Sequence, residues 1–158
     1  MANLVALLLL ILGFTFWYLF MGSKISDAST EVIPGESGTR SLVVYFSRAG
    51  EFSGTTDATV SATPNSNQIM DGSDTEAAAK MIRQLTGADL YQIRTERAYR
   101  NAFWGTAATA WIENALDMRP DLAAQPENLN NYDVIYVGYP IWWFNAPMAI
   151  GSFLEAMI

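Results

Sequence analysis

The order in which short apolar runs alternate with helical patterns constrains the fold of this chain more than any other feature. Residues 41–47, 89–95 and 132–138 are short runs of apolar, β-branched and aromatic residues, which is typical of strands. Each run is followed by a helical segment, at residues 75–87, 105–118 and 147–158. Strand and helix in strict alternation predict an α/β fold with a parallel sheet and right-handed crossovers.

Three segments are expected at the carboxyl ends of the parallel strands, which we call the carboxyl edge of the sheet. Open parallel sheets bind their ligands there. A segment rich in Ser, Thr and Asn follows the first strand and leads into the helix that starts near residue 74. Aromatic segments follow the second strand (residues 96–105) and the third strand (residues 139–147). This combination suits a ligand that has a phosphate at one end and a flat ring at the other.

The phosphate end would lie where the first helix of the domain begins. Residues 73–76, Ser-Asp-Thr-Glu, have the spacing of a capping box, and one interpretation is simply a well-started helix. The other interpretation is an anion site, because a helix start presents unpaired N–H groups and a partial positive charge. The hydroxyls of Ser47, Ser73 and Thr75 would complete it, and Arg48 is the nearby cation in sequence.

The ring end rests on two adjacent tryptophans, Trp142 and Trp143, which follow Pro140. Tryptophan is heavily buried on average, so both could belong to the core. They lie in a connection rather than in a periodic element, however, and a flat heterocycle stacked on one indole would also explain them. The residues alone leave both interpretations open.

The N-terminal segment differs from the rest of the chain. Residues 4–21 carry no charge, and eighteen helical residues at ~1.5 Å each cover about 27 Å, close to a bilayer core. We expect a membrane anchor over residues 1–22, with a cleaved signal peptide as the alternative. Residues 23–40 are rich in Ser, Thr, Gly and Pro and predict a linker, which leaves residues 41–158 as the folded domain.

Composition narrows the chemistry that the chain can carry out. The absence of Cys and His excludes disulfides, thiol nucleophiles and Ser-His-Asp triads. The formal net charge of −7 repels phosphate backbones, so we expect no nucleic-acid binding. A protein partner with a basic face would suit this charge.

Several stretches together resemble the flavodoxin-like family: "LVVYFSRAGE", "DTEAAAKMI", "TGADLYQI", "RPDL" and above all "NYDVIYVGYPIWW". The resemblance implies a doubly wound parallel sheet, of which this chain would hold the first three strands, and non-covalently bound FMN. It also implies which residues hold FMN. The phosphate would be held by Ser47, Arg48, Ala49, Asp74 and Thr75, and the ring would be flanked by Pro140, Ile141, Trp142 and Trp143.

The sequence departs from the family pattern at three points. Asp74 stands where the family often has Asn, and Phe144-Asn145 replaces a small Gly-Thr pair. The third departure is that a fourth and a fifth strand are missing, so we expect the third strand to form an exposed apolar edge. Three functions remain open: a membrane-tethered FMN electron carrier with a basic redox partner, an FMN-dependent quinone-type oxidoreductase, and a shortened chain without flavin.

Overall fold

The predicted alternation of strands and helices is present in the fold. The computed structural model describes residues 2–20, 31–36, 38, 40–48, 74–100 and 103–157. In chain order these hold α1 (Ala2–Phe20), β1 (Ser41–Phe46), α2 (Asp74–Thr86), β2 (Asp89–Ile93), α3 (Phe103–Ala115), β3 (Val134–Gly138) and α4 (Met148–Glu155), with a short 3-10 turn at Leu129–Asn131. Each predicted strand and helix is confirmed, with its ends shifted by a few residues.

The three described strands form one parallel sheet in the order β2-β1-β3. The central strand β1 pairs on both sides, so that Leu42 lies opposite Asp89 in β2 and Ile135 in β3. From Leu42 to Phe46 every side chain of β1 is at most 5% exposed. A strand that is covered on both faces reads as a continuous apolar run, which explains the sequence of β1.

Both faces of the sheet are covered by helices, as a doubly wound fold requires. Because side chains alternate along a strand, Leu42, Val44 and Phe46 face one side and pack with Ile150 and Phe153 of α4. On the opposite face a second cluster holds Val43, Tyr45, Leu90, Ala79 and Ile82, of which the last two belong to α2. Burying a large apolar side chain contributes roughly 1.5–3 kcal/mol, so these two clusters are the main source of stability.

Residues 31–36, within the segment predicted as a linker, lie along the outer edge of β2. The N–H of Ile33 donates to the carbonyl of Leu90 at 2.8 Å, and the N–H of Leu90 donates back at 2.9 Å. Gly35 approaches the backbone so closely that a Cβ there would lie 2.1 Å from the carbonyl oxygen of Gly87. This segment therefore covers the edge of β2, while residues 21–30 lie outside the described residues.

The N-terminal segment forms helix α1, which packs against α3. The guanidinium carbon of Arg100 lies 3.5 Å from the centre of the Tyr18 ring. Among the described residues, no helix has both the length and the apolar character needed to cross a membrane, which corrects the prediction of an anchor over residues 4–21.

The opposite edge of the sheet is open in the described part of the chain. There β3 pairs with β1 alone, and the side chains of Val134 and Tyr136 are 47% and 38% exposed. The prediction of an exposed apolar edge at the third strand is confirmed.

Candidate functional site

The carboxyl edge of the sheet brings together the end of β1, the start of α2 and the loop after β3. Ser47 directly follows β1, is 1% exposed, and accepts a hydrogen bond on its carbonyl oxygen from Gln92 Nε2 at 3.3 Å. The methyl carbon of Thr75 lies 3.6 Å from the position that a Cβ on Gly138 would occupy. The start of α2 is therefore adjacent to the last residue of β3, two positions before Pro140.

The start of α2 carries less uncompensated negative charge than its sequence suggests. The Glu76 carboxylate lies 2.7 Å from Lys80 Nζ one turn later, so this charge is matched within the helix. Asp74 is the first residue of α2 and its side chain is exposed. Ser73 and Ala49, the other residues predicted to surround the phosphate, lie outside the described residues.

Arginines gather at the same edge of the sheet. Arg48, two residues after β1, donates from Nη2 to the backbone carbonyl of Arg100 at 2.7 Å. Arg94 directly follows β2 and donates from Nη2 to Gln92 Oε1 at 3.0 Å. The Nε atoms of Arg94 and Arg100 are buried and make no hydrogen bond within the described residues. A buried charged donor without an acceptor lowers the stability of the folded protein by up to several kcal/mol. An anionic group that accepts hydrogen bonds from these atoms would therefore be stabilised here.

Arg48 was the one cation predicted from the sequence for this edge of the sheet. Arg94 was not predicted because it lies about fifty residues further along the chain. The signal was nevertheless present, since the carboxyl ends of parallel strands meet at one edge and Arg94 follows β2.

Tyr45 lies near the charged side chains of Glu76 and Arg94 but carries no charge itself. Burial and, to a smaller extent, nearby Glu76 raise its pKa to about 12, while Arg94 acts in the opposite direction. The phenol is therefore neutral at physiological pH, and the charge at this edge comes from the arginines and carboxylates.

The loop after β3 makes a tight turn with an unusual backbone. The N–H of Trp142 donates to the carbonyl of Asn145 at 2.9 Å, and the reverse bond has the same length. The two central residues, Trp143 and Phe144, have φ angles of 50° and 64°. Two-residue turns with positive φ at both positions normally contain Gly, Asn or Asp, so this turn holds two large aromatics in a strained conformation.

The two tryptophans have different environments, and only the interpretation that placed a tryptophan in the core is tested, by Trp142. Trp142 packs edge-on against the rings of Phe46 and Tyr99, with centroids 5.4 and 5.1 Å away, and so extends the core. Trp143 is 47% exposed and donates from Nε1 to the carbonyl of Ala107 in α3 at 2.9 Å. Beside them Ile141 and Phe144 are 69% and 99% exposed.

A buried acid lies behind this loop. Glu113 in α3 is 5% exposed, and its Oε2 accepts a hydrogen bond from the Tyr99 hydroxyl at 2.8 Å. Burial raises the pKa of Glu113 to about 7, although the hydrogen bond from Tyr99 acts in the opposite direction. Glu113 was not predicted from the sequence, although it is a lone acid within the apolar helical stretch "AATAWIENAL".

Comparison with known proteins agrees with this geometry. A sequence model of the flavodoxin family matches residues 67–158, which is more than half of the chain. The chain belongs to the flavodoxin family. No curated protein matches it. The resemblance found in the sequence is therefore confirmed, and the three-stranded parallel sheet of this flavodoxin-family chain fits the assignment.

Two crystal structures are similar to this flavodoxin-family chain, each described as that of a "putative flavoprotein". One comes from Bacteroides uniformis, with 29% identity and a TM-score of 0.54 over 75% of this chain. The other comes from Bacteroides eggerthii, with 31% identity and a TM-score of 0.55, again over 75% of this chain. The chain spans 64% and 62% of the length of these two proteins, which is less than two thirds.

Family membership implies a flavin cofactor, and the described residues fit one. The buried Nε donor of Arg94 and the first turn of α2 match a terminal phosphate. The exposed apolar side chains of Ile141 and Phe144, together with Trp143, match the flat face of an isoalloxazine ring.

Proposed function

We propose that this chain binds FMN at the carboxyl edge of its sheet and carries electrons. The observation that supports this most strongly is the meeting of three features at one edge: buried arginine donors, the start of α2 and an aromatic loop after β3. The arginine donors and the helix start suit the phosphate of FMN, and the aromatic loop suits its ring. The three features come from three separate segments of the chain.

In this proposal the phosphate of FMN lies against the start of α2. The N–H groups of the first turn, the hydroxyls of Ser47 and Thr75, and the guanidinium of Arg48 would donate to it. Asp74 and Ala49 complete the set of residues proposed around the phosphate. Arg94 extends that set, because its buried Nε atom needs an acceptor.

The ring of FMN would lie against the loop formed by Pro140, Ile141, Trp142 and Trp143. Trp142 already contacts the rings of Phe46 and Tyr99, so it would support the loop from the core side. Ile141 and Trp143 are the members exposed enough to contact the ring directly. When bound, the flavin would supply the redox chemistry, while these residues orient it and shield one side from water.

The first test compares FMN with FAD by equilibrium dialysis. A helix start and a few arginines can hold one terminal phosphate, whereas the second phosphate and adenosine of FAD would have no place here. We expect FMN to bind at least about tenfold more tightly than FAD, a difference of about 1.4 kcal/mol. Tighter binding of FAD would contradict the proposal.

We further propose that the redox partner presents a basic face. The net charge of −7 would attract such a partner and accelerate its encounter with the chain at low salt. The rate of electron transfer from the FMN-loaded, reduced protein to a basic haem protein such as cytochrome c should fall as ionic strength rises from about 10 to 200 mM. A rate that is independent of salt would argue against an acidic docking face.

A further inference from the structure

Helix α3 holds the loop after β3 in place from outside. The indole N–H of Trp143 donates to the carbonyl of Ala107 at 2.9 Å. The side-chain amide of Asn145 donates to Asn114 Oδ1 at 3.1 Å. The position of the loop therefore depends on a helix to which none of the residues proposed to hold FMN belongs.

A third connection between α3 and the loop runs through the interior. Glu113, in the last turn of α3, is 5% exposed, and its Oε2 accepts a hydrogen bond from the Tyr99 hydroxyl at 2.8 Å. The ring of Tyr99 packs edge-on against Trp142, with centroids 5.1 Å apart and an angle of 86° between the ring planes. Trp142 begins the turn, because its N–H donates to the carbonyl of Asn145.

The hydrogen bond at the hydroxyl of Tyr99 determines where its ring lies. A tyrosine side chain turns about only two torsions, so a partner that holds the hydroxyl also holds the ring. Trp142 rests against this ring, and its neighbours in the chain are Ile141 and Trp143, the exposed residues proposed to contact the flavin. A change at Glu113 is thus transmitted to the loop through two side chains.

We propose that Glu113 is a positioning residue, which acts through Tyr99 and Trp142 on the loop that would contact the flavin ring. This inference rests on the proposed function, because it concerns the loop assigned there to the isoalloxazine. It adds a residue that does not contact the flavin but governs how firmly the loop is held.

The protonation state of Glu113 sets the strength of this hold. The hydrogen bond from Tyr99 favours the carboxylate and burial favours the neutral acid, and burial prevails, since it raises the pKa of Glu113 to about 7. The ionised side chain is therefore stabilised by turning from Tyr99 toward water. A cavity of about 260 Å³, which Glu113 lines between the segment after β2 and α3, provides the path. We expect the neutral acid to hold the loop more firmly than the carboxylate.

Other charged groups face this cavity or pair with those that do. The segment after β2 contributes Glu96 and Arg97, and the segment after α3 contributes Arg119 and Asp121. Arg119 is paired at 2.7 Å with Asp117 and, from α4, with Glu155. All of them are also present in the Glu113→Gln variant, so a comparison of this variant with the wild type isolates the contribution of Glu113.

The first test follows the indole N–H of Trp142 in the flavin-free protein by proton–nitrogen NMR, with Trp142→Phe to assign it among the five tryptophans. We expect its resonance to titrate with a midpoint of about 7 in the wild type. The titration should be absent from Glu113→Gln and largely lost from Tyr99→Phe, which keeps the ring but not the hydroxyl. Trp104, which is 77% exposed, is the internal control and should not titrate.

Two results of this test would overturn the proposal. One is a Trp142 resonance that stays constant in the wild type across this pH range. The other is a titration of equal size in Glu113→Gln or in Tyr99→Phe, because the effect would then not come from Glu113 or would not pass through Tyr99.

The second test measures FMN affinity by flavin fluorescence at about pH 6 and about pH 8.5. Glutamine stays neutral and keeps a side-chain oxygen for Tyr99, so Glu113→Gln should keep the firm hold at both pH values. If FMN binding raises the pKa of Glu113 by about half a unit, the wild type should lose about threefold in affinity relative to this variant as pH rises. Ionisation of the FMN phosphate affects both proteins alike and cancels in this ratio.

Glu127→Gln, which alters an exposed acid in the segment before β3, is the matched control and should follow the wild type. An equal pH dependence of FMN affinity in the wild type and in Glu113→Gln would overturn the positioning role but leave the proposed function intact. Failure of all three proteins to bind FMN at either pH would instead overturn the proposed function, while the titration of Trp142 would still decide whether Glu113 acts on the loop.

Discussion

At the scale of single residues, the strain of this molecule is concentrated in the turn after β3. Trp143 and Phe144 both have positive φ, which costs roughly 1–2 kcal/mol for each residue other than glycine. The Phe144 side chain is 99% exposed, so its packing does not offset this cost. Backbone strain of this kind is common in binding and active sites, and this turn lies where we place the flavin ring.

Replacing Phe144 with glycine should therefore stabilise the protein. Glycine adopts positive φ without a steric penalty, although it also increases the entropy of the unfolded chain. We expect a net gain of about 1 kcal/mol in the free energy of unfolding, measured by urea denaturation. Phe144→Ala is the matched control, since it removes the ring but keeps the strain. A gain of the same size in both variants would show that the backbone is not the cause.

Glu113 links stability to pH in a definite direction. Its folded pKa of about 7 lies above its usual 4.5, so the folded protein holds a proton that the unfolded chain releases. The wild type should therefore lose stability as pH rises from about 4.5 to about 7, by on the order of 3 kcal/mol. Glu113→Gln should remove this loss and be the more stable protein at pH 8, while the two proteins converge near pH 4.5. The free energies of unfolding of both proteins are measured in urea across this pH range. If they change with pH in the same way, Glu113 does not ionise on unfolding.

Part of the proposed site follows from the sequence alone. Ser47, Thr75 and the tryptophan loop were predicted because each follows a strand or starts a helix. Trp142 and Trp143 could not be told apart, because their environments depend on a turn that the sequence "WWFN" does not favour.

At the scale of elements, strands and helices followed from patterns that span several residues. The run of apolar residues in β1 reflects burial on both faces, and Gly87, with a φ of 66°, ends α2 as a glycine cap should. The pairing of residues 31–36 with β2 was not predicted. That segment is rich in Gly and Pro and has no periodicity, so its attachment depends on contacts with distant residues.

Gly35 tests the attachment of this segment. A methyl group there would meet the backbone of Gly87 and Ala88 at 2.1–2.5 Å, and backbone atoms cannot move aside as a flexible side chain can. We expect Gly35→Ala to destabilise the protein by about 2 kcal/mol, as overpacking typically does. Gly13→Ala serves as the control because nothing lies within 4 Å of its new methyl group. Equal unfolding midpoints in urea for the Gly35 variant and the wild type would mean that the segment is not held against β2.

At the scale of the whole molecule, the two ends of the parallel sheet are unlike. The carboxyl edge brings together Arg48, the start of α2 and the loop after β3. The amino edge has an exposed ion pair between Arg40 and Asp133, whose side chains are 60% and 65% exposed. An exposed pair of this kind contributes only about 0–1 kcal/mol, so Arg40 can be altered with little effect on the fold.

This difference provides the most direct measurement of where FMN binds. Affinities for FMN and for riboflavin, which lacks the phosphate, are determined by flavin fluorescence for the wild type, Arg48→Met and Arg40→Met. A hydrogen bond to a charged group is worth about 1.5–3 kcal/mol, so Arg48→Met should weaken FMN binding by at least about tenfold. It should leave riboflavin binding unchanged, and Arg40→Met should change neither. If Arg48→Met binds FMN as tightly as the wild type does, or if it weakens both flavins equally, the phosphate does not lie at the carboxyl edge and the proposed site is wrong.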